Sequence, residues 1–403
     1  MRFVDRSYKQ SVVEYIVFSF ALSLPLVSII SSFLLPIAKN IQILGLCLLF
    51  FSFLLGIKSN FEKKNSEKNK KDMFHEIDII KFLILLSTLL FFIISIIVCY
   101  PEMTYITELD ITRNIKSILL VSVQSNIHQS FTYPWFHIYE ASIYELSKPS
   151  IPLFQSALAL LSIITILSFY IMVKAYLEDI DNHLPILATV FWSLFSGFGW
   201  IYLLLSKIEM QNINYYSLLS LANERSYGDI EYGQNVFLWF RPMTIGFMLL
   251  FCLLYILRKE IGSKLISKII SIFILIALFF YHIPEYIFFI TILIIIAIFI
   301  HTNELNIKIM LTSSIISFIC IFMIYTFLLL KSIKTVFPLG IFIGLFIGTI
   351  LAYFIRMKSW NNIKFKNNRK IEEIIFLIFA SLFISGLIFS LSSESGFYRS
   401  MVQ

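Results

Sequence analysis

The side chains in this protein that can do chemistry collect in a few short stretches. The richest runs from Pro101 to Pro149 and holds Glu108, Asp110, Arg113, Lys116, His128, His137, Glu140 and Glu145. A carboxylate or imidazole can take the proton of an attacking hydroxyl, and a cation can neutralise a departing anion. A second polar stretch, Ser206 to Arg241, adds Glu224, Arg225, Asp229, Glu231 and Arg241. A third is the short turn His282-Ile283-Pro284-Glu285.

Several of these candidates carry a structural reading beside the chemical one. Asp110 opens a pattern in which Ile111, Ile115, Ile118 and Leu119 recur at helical spacing, so the stretch to Ile127 predicts an amphipathic helix lying on a membrane surface. At that helix's start, Asp110 is either an N-cap or a base held at the bilayer. His137 and Glu140 are three apart and share a helical face. Such a pair can bind a divalent metal, but two ligands alone do not define a site. Tyr133, Trp135, Phe136, Tyr139 and Tyr144 are expected to form an interfacial aromatic belt in preference to a sugar-stacking wall. Arg241 precedes Pro242 and suits either a phosphate, through its two-pronged fork, or a snorkelling anchor. His282 and Glu285 are either a helix-end device or part of a site at the membrane face, where His282 suits a lipid phosphate and Glu285 a metal or hydroxyl.

The elements that must position these groups are membrane helices. The chain has 403 residues, 58% hydrophobic and 14% charged, with mean hydropathy +0.84. Soluble domains average about 25% charged residues. The apolar runs are continuous and about 20 residues long, as helical spans require, and lack the short alternating segments of a barrel. The fold class is therefore an all-α polytopic transmembrane bundle of about eleven spans. Basic clusters follow the second span (KSNFEKKNSEKNKKD), the sixth (RKEIGSKLISK) and the tenth (RMKSWNNIKFKNNRK). The positive-inside rule places all three, and the N-terminus, in the cytoplasm. Loops 101–149 and 206–241 and the C-terminus then face outside the cell membrane. Residues 1–79 form a two-span extension with a basic loop, and 80–403 form the core of one integral membrane domain. Two places fit poorly: Lys331 and Lys334 fall outside, and the turn with Glu178, Asp179 and Asp181 falls inside. The net charge of +7 resides in these loops, which excludes nucleic acid as a partner. Cys47, Cys99, Cys252 and Cys320 form no CxxC pair and are expected to be buried thiols.

The layout resembles the GT-C class of integral membrane glycosyltransferases. Glu108-Leu109-Asp110 follows a span and precedes the surface helix to Ile127, as the acidic motif does in that class. His282 and Glu285 echo a His and Glu pair found in a short external turn of some members. The chain departs from the pattern in having two spans ahead of the one leading into the acidic loop, and in splitting the acid pair with Leu109. The resemblance implies inverting transfer of a hexose from a polyprenyl-phosphate-linked sugar, at the outer leaflet, to a glycan, lipid or protein acceptor. It implies that Asp110, beside Glu108, acts as base. Arg241, His282 or a divalent cation (Mg or Mn) would neutralise the departing lipid phosphate. Arg113, His137, Glu140, Arg225 and Asp229, with Glu285, complete the expected substrate-binding set. Two rival readings remain: a lipid or lipid-linked-sugar transporter or flippase, and a non-catalytic membrane subunit. The Gly340, Gly344 and Gly348 spacing reads as small-residue helix packing.

Overall fold

A computed structural model describes residues 12–38, 83–90, 134–147, 163–195, 242–261, 263–299, 305–330 and 339–362. Their regular structure is all helical, and no strand occurs among the described residues. In chain order the helices are α1 (Val12–Ala38), α2 (83–90), α3 (Pro134–Ser147) and α4 (Ile163–Leu177). There follow α5 (Leu184–Phe195), α6 (Pro242–Arg258), α7 (Lys264–Tyr281) and α8 (Ile283–Phe299). The last two are α9 (Ile307–Leu330) and α10 (Leu339–Asn362). By length and composition, α7 and the Ile307–Thr326 part of α9 are long and apolar enough to cross a membrane. Shorter apolar stretches lie within α1 (Val13–Ser28), α4, α5, α6, α8 and α10 (Phe342–Met357).

Local chemistry sets several of these boundaries. Pro134 and Pro242 stand at the first helical position, where a missing N–H costs nothing. Ser263 caps α7, its hydroxyl accepting from the Ile266 amide at 3.4 Å. One turn later, Ser267 holds both the amide and the carbonyl of Ile261, at 2.7 and 3.1 Å, which fixes the reversal from α6 into α7. His282 ends α7 in an extended conformation while its amide still donates to the Leu278 carbonyl at 2.8 Å.

Helix directions follow from the contacts. Thr165 of α4 reaches the Thr244 carbonyl of α6 at 3.2 Å, and Tyr176 reaches the Leu254 carbonyl at 3.0 Å, so α4 and α6 run parallel. The α1 start meets the α6 end, where the Tyr255 hydroxyl donates to Glu14 at 2.8 Å. Farther along, α1 meets the α7 end, where Ser28 and Tyr281 share a hydrogen bond at 2.5 Å. Ser271 and Met310 bring the starts of α7 and α9 together at 3.3 Å. The bundle thus has two ends. One holds Glu14, the α4–α5 turn, the α6–α7 turn and Asn306. The other holds Ser28, α3, Thr244, Gly246 and the α7–α8 turn.

The acidic turn that fits the charge rule poorly finds its explanation at the first end. Glu178 pairs with Lys174 at 3.5 Å and Lys259 at 3.8 Å, and Asp179 pairs with Arg258 at 3.4 Å. The turn and the RKEIGSK cluster therefore share one end of the bundle. Lys331 and Lys334 lie outside the described residues, as do Cys47 and Cys99. Cys252 is buried and Cys320 half-buried, both as free thiols.

The interior is mixed rather than purely oily. Val17, Phe18, Leu249, Leu253, Leu275, Phe289 and Leu293 are fully buried. So are the hydroxyls of Ser168, Thr189, Ser271, Thr291, Ser314 and Thr349 or nearly so. Each of these donates to a carbonyl three or four residues back on its own helix. That local bond satisfies the hydroxyl without water. Large apolar side chains conversely stand exposed on α9 (Ile319, Phe322, Met323) and α10 (Ile343, Ile347, Leu351, Phe354, Ile355).

Candidate functional site

Four of the expected site residues are described, and all four are buried at the same end of the bundle: His137 and Glu140 on α3, His282 and Glu285 at the α7–α8 turn. Glu108, Asp110, Arg113, Arg225, Asp229 and Arg241 lie outside the described residues, as does the expected surface helix to Ile127.

The sequence makes α3 a helix that plugs into the bundle. It packs against α1 and α7. Trp135 stacks on Phe280, centroids 4.5 Å apart and planes 25° apart, and meets the edge of Tyr281 at 6.3 Å. Trp135, Phe136, Ile138 and Ala141 are all under 3% exposed. The aromatic belt expected here is therefore not formed by Trp135, Phe136 and Tyr139. Trp135 fills the core because Phe280 and Tyr281 offer it a flat apolar partner, and a ring covered by protein leaves the interface.

Burial decides the charge of the polar groups on α3. It lowers the His137 pKa from 6.5 to about 4, which keeps the imidazole neutral. Burial also raises the Glu140 carboxyl well above its ordinary value. Its Oε2 has no hydrogen-bond partner among the described residues, and a buried carboxylate without donors favours the protonated form. Burial and then the nearby Glu140 raise the Tyr139 hydroxyl.

At the α7–α8 turn, His282 and Glu285 find each other. The imidazole Nδ1 pairs directly with Oε2 of Glu285. Glu285 lies in the first turn of α8, where the helix dipole favours a carboxylate. The structure thus joins two residues expected to serve separate ligands. Helix α6 makes room for them at Gly246. A β-carbon there would lie 2.9 Å from Oε2 of Glu285 and 3.0 Å from Cβ of His282. Gly246 is the residue that the sequence reading missed. Its signal was a lone glycine within an apolar helical run, PMTIGFMLL.

The chemistry available follows from this pairing. A carboxylate on Nδ1 holds the proton on that nitrogen, so a neutral imidazole carries its lone pair on Nε2. Among the described residues no three His, Cys, Asp or Glu side chains cluster as metal ligands. His282 and Glu285 alone do not make up the ligand set of the divalent cation that the resemblance implies. Comparison with protein-family models, curated proteins and solved structures returns no match.

Proposed function

We propose that this protein is a polytopic membrane glycosyltransferase of about eleven spans, moving a sugar from a polyprenyl-phosphate donor to an acceptor at the outer face. The observation that carries the reading is the gathering of His137, Glu140, His282 and Glu285 at one end of the bundle. The opposite end holds the RKEIGSK cluster with its paired acids, and basic loops mark the cytoplasmic side. The polar end is then the outer one, beside the two external loops. Exposed apolar side chains on α9 and α10 suit contact with lipid, and internally bonded Ser and Thr suit a bundle without interior water.

In this reading Asp110 takes the proton of the acceptor hydroxyl. The acceptor oxygen attacks the anomeric carbon, and the lipid phosphate leaves with the bonding electrons. Arg241 stabilises that anion. A positioned base contributes about 10²–10⁴-fold. The test is transfer from labelled polyprenyl-phosphate sugars by purified protein in lipid. Wild type should transfer, and Asp110→Asn should lose at least about 10²-fold while remaining folded. Equal transfer by both would remove Asp110 from the mechanism.

One observation favours a second reading. Glu140 is fully buried, its Oε2 without a partner among the described residues, and transporters keep ionisable groups inside their bundles for coupling. A lipid or lipid-linked-sugar transporter would move labelled donor across vesicles without consuming it, and Glu140→Gln would abolish that movement.

A further inference from the structure

At the α7–α8 turn, helix α6 brings a bare α-carbon against His282 and Glu285. Gly246 of α6 faces the carboxyl of Glu285 and the β-carbon of His282. Oε2 of Glu285 is at once the atom nearest to Gly246 and the atom paired with Nδ1 of His282. Both partners are 5% exposed or less. The space at Gly246 and the pairing are therefore one arrangement. We propose that Gly246 is a positioning residue for the His282–Glu285 dyad: the bare α-carbon lets Glu285 lie against α6 and hold Nδ1 of His282, which fixes the imidazole tautomer with its lone pair on Nε2.

The contacts set what a methyl group would do. At 2.9 Å from a β-carbon, Oε2 must move. It is the far end of a flexible side chain, so it can rotate away while the backbone stays in place. That rotation takes it off the imidazole. The His282 β-carbon, at 3.0 Å, must give by only a few tenths of an ångström. Gly246→Ala is therefore expected to break the dyad while the bundle keeps its fold. Without its carboxylate, His282 reverts to the tautomer with the proton on Nε2, and the basic nitrogen turns to the other side of the ring.

The inference rests on the proposed function only for what the dyad serves, and its test needs no turnover. The full chain, in lipid and labelled with ¹⁵N-histidine, is observed by NMR at about pH 8.5, two units above the ordinary imidazole value. The His282 signals among the six histidines are identified by their loss in His282→Gln. In wild type, Nδ1 should carry the proton and Nε2 should be bare. Glu285→Ala and Gly246→Ala should both show the proton on Nε2, and adding Gly246→Ala to Glu285→Ala should change nothing further. A wild-type His282 protonated on Nε2, or on both nitrogens, would overturn the dyad. A Gly246→Ala protein with the wild-type tautomer would overturn the positioning role. If transfer is found, Gly246→Ala should lower it by up to about 10²-fold, the cost of a catalytic group misplaced by about 1 Å. Correct tautomers without any transfer would keep the dyad and reject the glycosyltransferase reading.

Discussion

At the scale of single residues, burial sets the behaviour of the polar end. His137 has a folded pKa near 4 against 6.5 unfolded. The unfolded chain therefore binds more protons between those values, and stability falls as pH drops through that window. The full loss is about 3 kcal/mol at most. Melting curves of wild type and His137→Gln should converge toward acid for this reason, and parallel curves would remove His137 from the transition. Glu140 works in the opposite sense. Its folded pKa is raised, so the folded protein binds more protons above pH 4.5 and loses stability as pH rises from there. Glu140→Gln should accordingly raise the melting temperature at pH 7 and have no effect near pH 4. A destabilised Gln variant at pH 7 would mean that the carboxylate is paired in the folded state.

At the scale of elements, the bundle is tied together by hydroxyls and rings at its two ends. Tyr255→Phe leaves Glu14 buried without its 2.8 Å donor, which should cost about 1–3 kcal/mol in unfolding experiments. A neutral result would show that other groups satisfy the carboxyl. Trp135→Ala removes the ring stacked on Phe280 and should cost about 3–5 kcal/mol, with faster amide exchange in α3 than in α7. Much of this architecture was legible in the sequence. The span ending at Tyr281 and the one beginning at Pro242 match α7 and α6, because a proline start and a polar stop are local signals. The position of α3 was not legible. Its hydropathy resembles an interfacial segment, and distant partners turn it inward: α1, and the rings of Phe280 and Tyr281 more than 130 residues away. The His282–Glu285 pair was visible as a spacing, yet its mutual bond and its seat on Gly246 depend on α6 packing that no local pattern reports.

At the scale of the whole molecule, the exposed apolar side chains on α9 and α10 suit the proposed contact with lipid. Ser and Thr lie inside, bonded to their own helices, and Ile, Leu, Phe and Met stand outside on α9 and α10. Nitroxides placed at Phe322 and Leu351 should be more accessible to oxygen than to a polar relaxant in reconstituted protein, whereas one at Asp181, in the exposed α4–α5 turn, should show the reverse. The central claim is that the end with the His282–Glu285 dyad works outside the cell and the end with the basic cluster stays within. It is tested most directly by labelling single cysteines in intact cells with a membrane-impermeant maleimide, after replacing the four native cysteines. A cysteine at Tyr144, on α3 beside the dyad's end, should label in intact cells. A cysteine at Asp181 should label only after the membrane is opened. The opposite pattern would contradict the account, because the polar end would then face the cytoplasm and no donor at the outer leaflet would meet it.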